Sequence, residues 1–157
     1  MALTATKLAD ELKALGLYNT EADACVAWAI AFDNYFQDAV TNGVPVTPGS
    51  TVGAKTAMQT GLTGLSVTGA AALTAGIIAY WNTVASLVAS IWPGTIAASP
   101  PPSLSAIQAA LEAVFAANIA GALSKDDSMT AIAGAIHPNN LGGLATWPPP
   151  LGPLPIL

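Results

Sequence analysis

The stretch that decides the fold is "GAAALTAGIIAYWNTVASLVASIWPG", residues 69–94. It carries no charge and exceeds the roughly 20 residues needed to cross a bilayer, so it reads either as a membrane span or as the central helix of a protein core. Its pattern favours the core. Leu73, Ile77, Tyr80, Val84, Leu87 and Ile91 recur at alternating steps of four and three, while Ala75, Ala79, Asn82, Ser86 and Ala89 fall on the opposite side. A helix packed among other helices confines its large side chains to such a seam; a lipid-facing helix gains nothing by it. Pro93-Gly94 ends the segment because proline cannot continue a helical hydrogen-bond ladder.

Downstream, "SPPPS" at 99–103 is a rigid joint, and Ser103 is placed to cap a helix whose seam is Leu104, Ile107, Leu111, Val114, Ile119 and Leu123. The two seams share a period that lets them pack as an antiparallel pair. Ser124 to Asp127 has capping-box spacing, and Met129, Ile132 and Ile136 form the apolar face of a further helix running to His137-Pro138, before the turn "NNLGG" at 139–143.

Upstream, Leu8, Leu12 and Leu15 at helical spacing, with Gly16 as C-cap, predict a helix over 5–15. Thr20 to Asp23 forms another capping box with acidic residues in the first turn. From it Cys25, Ala29, Phe32, Phe36 and Ala39 run along one face, with Val26, Ile30 and Val40 beside them, until Asn42-Gly43. "VPVTPGS" at 44–50 is a loop, and residues 51–68, with three glycines and six threonines or serines, have poor helix propensity. The expected fold is therefore mainly α: a small helical bundle with an extended proline-rich C-terminal arm. Residues 1–43 form an acidic helical hairpin, 44–68 a loop or irregular linker, 69–144 the helical core and 145–157 the arm.

Composition narrows the function. Of 157 residues 53% are hydrophobic and only 8% charged, against about a quarter charged in ordinary soluble domains. There is no arginine, and Lys7, Lys13, Lys55 and Lys125 stand singly. Nucleic-acid binding, which needs clustered cations to displace counterions, is not expected. Between Lys55 and Lys125 the one charge is Glu112, so the acidic N-terminal quarter reads as water-facing and the remainder as covered. Cys25 alone excludes an internal disulfide framework, and the charges in "MALTATKLADELKALG" argue against a signal peptide.

No chemical motif stands out. A single histidine, His137, excludes a histidine metal cluster; at a helix end it reads as an imidazole meeting free carbonyls. Cys25, near Asp23, reads as a buried small hydrophobe. Asp126-Asp127 suits a helix dipole and lacks the alternating oxygen ligands of a cation loop. "GLTG" at 61–64 and "NNLGG" lack the lysine and strand-to-helix setting of a phosphate cradle, and no G-x-S-x-G elbow is present. Neither catalytic residues, metal, cofactor nor small-molecule substrate is expected. Trp28, Trp81, Trp92 and Trp147 read as core or interface anchors.

The last stretch, "ATWPPPLGPLPIL" at 145–157, has five prolines and no charge. Proline pre-sets an extended backbone and lowers the entropy lost on docking, so the segment reads as an arm lying on its own helices or on a neighbour's. The interface candidates are Trp147, Pro150, Leu151, Pro153, Leu154, Ile156 and Leu157, with Trp81 and Trp92 as helical anchors. Pro150 to Pro153 fits P-x-x-P but lacks the basic flank of a peptide-module ligand.

The order of "AYWNTV" (79–84), "LEAVFAAN" (111–118) and "AIAGAIHPNNLGG" (131–143), followed by "WPPPLGP", resembles small structural proteins encoded by tailed bacteriophages, over roughly the last half of the chain. The resemblance implies a non-enzymatic virion component of tail, neck, baseplate or capsid surface, assembled in the host cytoplasm, whose partners are copies of itself and neighbouring virion proteins. Sparse charge, aromatic anchors and two-faced helices point separately to a homo-oligomeric assembly protein. The alternative is a small holin-like membrane protein spanning with residues 69–92, although that segment lacks basic flanks.

Overall fold

Thr20 and Ser124 start helices as their spacing predicts, and Thr4 starts another. Their hydroxyls accept from the backbone N–H three residues on, at 3.1, 3.2 and 3.2 Å, satisfying donors that the helix leaves free. The computed structural model describes residues 2–121 and 123–157. Its helices are α1 (Ala5–Lys13), α2 (Glu21–Phe36), α3 (Val52–Gly61), α4 (Leu65–Ser86), α5 (Val88–Ile91), α6 (Ile107–Ile119) and α7 (Lys125–Ile136), with 3-10 turns at Leu104–Ala106 and His137–Asn140. Five short strands complete it: β1 (Val40–Thr41), β2 (Val44–Pro45), β3 (Ala97–Ser99), β4 (Leu144–Trp147) and β5 (Gly152–Pro155). The protein is mainly α.

The seam of α4 is where the sequence puts it. Leu73, Ile77, Tyr80, Val84 and Ile91 are buried, Leu87 is half-buried, and Ala75, Asn82, Ser86 and Ala89 face solvent. The helix is not continuous over the expected span, however. Gly69 breaks it at φ 24, ψ −85, and Phe115 of α6 sits where a Cβ on Gly69 would be, 3.0 Å away. At the other end α4 stops at Ser86, and α5 is a separate turn.

Residues 44–68 are not an irregular linker. They contain α3 and the first turn of α4, and the glycines that lower helix propensity are used for contact. An ideal Cβ on Gly61 would stand 2.8 Å from Gly76 Cα, and one on Gly76 would stand 2.9 Å from Leu62 Cγ. Two helices approach this closely only where neither carries a side chain, so tertiary packing overrides propensity. The second helix also ends earlier than expected, at Phe36. Asn42 (φ 50) and Gly43 (φ 73) instead make the two-residue turn joining antiparallel β1 and β2, the connection in which positive φ at both positions matches strand twist. Ser103 does not cap α6; its hydroxyl donates to Asn139 O at 3.3 Å, and a 3-10 turn opens the helix.

Residues 145–157 are extended but are not an isolated arm. β4 and β5 form a hairpin, and β3 completes an antiparallel sheet in the order β3-β4-β5. Pro153 lies opposite Thr146 and Pro155 opposite Leu144. Having no N–H, these prolines cannot donate to β4, so the pairing runs through Gly152 and Leu154 and the proline nitrogens occupy the outer edge. That edge cannot donate to another strand. Ile156 then donates to Gly143 O, and Leu157 and Val40 exchange two backbone hydrogen bonds, all at 2.9 Å.

From Leu3 to Ile156 the buried side chains form one cluster, in which α1 packs against α2 and α7. At its centre Phe36 stacks edge-on with Tyr80 and Trp81, both at 5.1 Å between ring centroids. The accessible surface is 7163 Å², close to the roughly 7,300 Å² expected of a compact monomer of this mass.

Candidate interaction surface

Two polar knots fix the helices beneath the surface. In the first, the buried Tyr80 hydroxyl donates to Asp33 Oδ1 at 2.6 Å, Lys55 Nζ lies 3.7 Å from Asp33 Oδ2, and Gln37 Nε2 donates to Thr51 Oγ1 at 2.7 Å. Burial, and then the neighbouring Asp33 charge, push the Tyr80 phenol well above its ordinary pKa. In the second, the His137–Asn140 turn is a hub. Asn140 Oδ1 accepts from Trp81 Nε1 at 2.7 Å, Asn139 O takes the Ser103 hydroxyl, and His137 Nδ1 lies 2.9 Å from the Tyr35 hydroxyl.

The turn does not present His137 to helix-end carbonyls as expected; a side chain from α2 reaches the ring first. Cys25 is buried and its Sγ donates to Leu62 O at 3.4 Å, while burial, and secondarily Glu21, raise the thiol above its usual value. Asp126 and Asp127 stand in the first turn of α7. No group of three or more His, Cys, Asp or Glu side chains suited to a metal ion is present among the described residues.

Glu21, the first residue of α2, acts at a distance. Its carboxylate accepts from the backbone N–H of Gly64 at 2.7 Å and Ser66 at 3.2 Å, and from the Ser66 hydroxyl. It thereby caps α4 from another helix, and those bonds hold it below the usual carboxylate range.

The anchors expected at an interface divide into two groups. Trp81, Trp92, Trp147 and Ile156 are buried inside the chain; Phe36 meets the Trp81 and Trp92 rings and Thr41 takes the Trp147 N–H, so they offer no docking surface. Pro150 and Pro153 are exposed, Leu154 is half-buried, and Leu151 and Leu157 remain 50% and 51% exposed. These lie along the β4–β5 hairpin and its continuation.

The most exposed pair of apolar side chains on one groove was not anticipated. Val67 is 84% and Ile119 88% exposed; both line a groove of about 540 Å³ between the start of α4 and the end of α6, together with Leu65, Phe115 and Ala116. Ile119 was expected in the α6 seam, but the period after Val114 leads to position 118. Asn118 stands there, its side-chain oxygen accepting from Ser128 Oγ at 3.0 Å, and Ile119 is turned outward. That break in period is the sequence signal for its exposure. Val67, in a threonine-rich stretch, leaves none.

The groove lining holds one carboxylate, Glu112, which accepts from Gln108 at 2.9 Å, and one serine hydroxyl, Ser66, which is given to Glu21. No family model matches the chain, and no curated protein or solved structure matches it.

Proposed function

We propose that the protein is a non-catalytic assembly subunit, of the virion structural class named by the tailed-phage resemblance, contacting copies of itself and neighbouring virion proteins. The observation that carries the reading is that Val67 and Ile119, almost wholly exposed, line one groove between α4 and α6. Clustered exposed apolar groups mark interaction sites. Leu151 and Leu157 add a second apolar site on the hairpin. Nucleic acid is a poor partner for such a surface. Lys7 pairs with Glu11 at 2.9 Å, Lys55 faces Asp33, and Lys125 Nζ is bonded to Leu15 O at 2.7 Å.

The test is the solution mass of the purified protein across a concentration series. Oligomers that dissociate in Val67→Asp or Ile119→Asp support the reading; a well-dispersed monomer at every concentration overturns it. The membrane alternative draws on α4, which is long and apolar enough to cross a bilayer, with half of its most apolar stretch buried in the fold. Recovery solely from detergent-solubilised membranes favours that alternative.

A further inference from the structure

We propose that Tyr35 and His137 form an acid-sensitive latch: a proton taken up at His137 Nδ1 removes the acceptor used by the Tyr35 hydroxyl and releases the His137–Asn140 turn from α2. The geometry assigns the roles. Tyr35 is fully buried, its hydroxyl has His137 Nδ1 as partner at 2.9 Å, and the two rings meet edge to face with centroids 6.0 Å apart. A buried hydroxyl needs an acceptor, and burial raises the Tyr35 pKa, keeping the phenol protonated. Nδ1 therefore carries the lone pair, and the neutral ring carries its hydrogen on Nε2.

Adding a proton at Nδ1 sets two donors face to face. The Tyr35 oxygen can accept from the new N–H only by turning its own hydrogen away from His137, where no other acceptor for it is found among the described residues. Among the described residues burial alone displaces the imidazole, with no charged partner beside it. On α2, Asp33 is engaged by Tyr80 and Lys55. On α1, which packs against the turn, Lys7 and Glu11 pair together, and Asp10 and Lys13 lie in a groove with Thr130 and Gly134. The Lys125, Asp126 and Asp127 side chains are at the far end of α7, and the Leu104–Ala106 turn has no titratable residue.

Burial holds the imidazole below its ordinary value. The folded state thus binds this proton less readily than the unfolded state, and the latch weakens as pH falls below about 6.5 toward the folded value. As the chain has one histidine, its ring nitrogens can be followed by NMR in the unaltered protein. The expected result is an Nε2–H tautomer at neutral pH, a midpoint below about 6.5, and backbone signals of Tyr35 and residues 136–140 that shift with the same midpoint. An Nδ1–H tautomer, or a ring that titrates while those signals stay fixed, overturns the proposal. His137→Asn keeps an acceptor without a titrating group. Its melting temperature should fall by a few degrees less than that of the native chain on acidification from about pH 7 to about pH 5; an equal fall also overturns the proposal.

Discussion

Gly61 and Gly76 meet backbone to backbone where α3 crosses α4, a Cβ on the first falling 2.8 Å from the Cα of the second. Alanine normally stabilises a helix by about 1 kcal/mol relative to glycine. Here that preference reverses: Gly61→Ala should cost about 1–3 kcal/mol through overpacking. Gly134 in α7, with nothing within 4 Å of its ideal Cβ, is the control, and Gly134→Ala should gain about 0.5–1 kcal/mol. Urea unfolding of both variants checks the opposite signs.

Removing the Tyr80 hydroxyl leaves Asp33, itself buried, with Lys55 at 3.7 Å. Tyr80→Phe should therefore destabilise by about 1–3 kcal/mol, the cost of a buried acceptor losing its partner, with the denaturant slope unchanged. In an alkaline titration of the native chain, phenolate absorbance from Tyr35 and Tyr80, both displaced upward by burial, should appear only together with loss of helical circular dichroism.

Glu21 caps α4 from α2, and its folded-state pKa is depressed. A carboxylate in that condition contributes stability above its unfolded value near 4.3, and the contribution disappears as pH falls through the folded value. Glu21→Gln should lower the melting temperature at neutral pH and flatten the acid limb of the stability profile. An unchanged acid limb would show that the three hydrogen bonds add nothing.

Pro153 and Pro155 blunt the outer edge of β5. Restoring the N–H groups with Pro153→Ala and Pro155→Ala should leave the hairpin paired to β4 but increase concentration-dependent association, because an edge with free donors templates further strands. Light scattering of the double variant against the native chain measures this.

The parts legible in sequence were those governed by local rules. The Thr20 and Ser124 caps follow from side chains reaching three residues along their own backbone, and the α4 seam follows from periodicity. What misled were residues whose role depends on distant neighbours. Gly61 looks like a helix breaker until Gly76 arrives opposite it. Asn42-Gly43 carried a hairpin signal, but the apolar pattern from Cys25 to Val40 masked it. Trp81 looked available because Asn140, which accepts its indole N–H, lies 59 residues downstream, and Trp92 because Phe36 reaches it from α2. At the candidate site Ile119 was readable from a broken period, whereas nothing local distinguishes Val67.

The clasp between the tail hairpin and β1 also bears on the route by which the chain folds. Trp147 Nε1 donates to Thr41 Oγ1 at 3.4 Å, across 106 residues of sequence, and Leu157 pairs with Val40 beside it. Closing a loop of that length costs on the order of 4 kcal/mol in chain entropy, before any return from the contacts made. Capped helices that need only neighbouring residues can form first, and the clasp is then a late event. Until it closes, the Trp147 ring, which in the fold lies against Gly94 and bonds to Thr41, is uncovered. The interval between helix formation and clasp closure is when this chain is most exposed to adhering to a copy of itself, and a slow final phase in Trp fluorescence should mark its end.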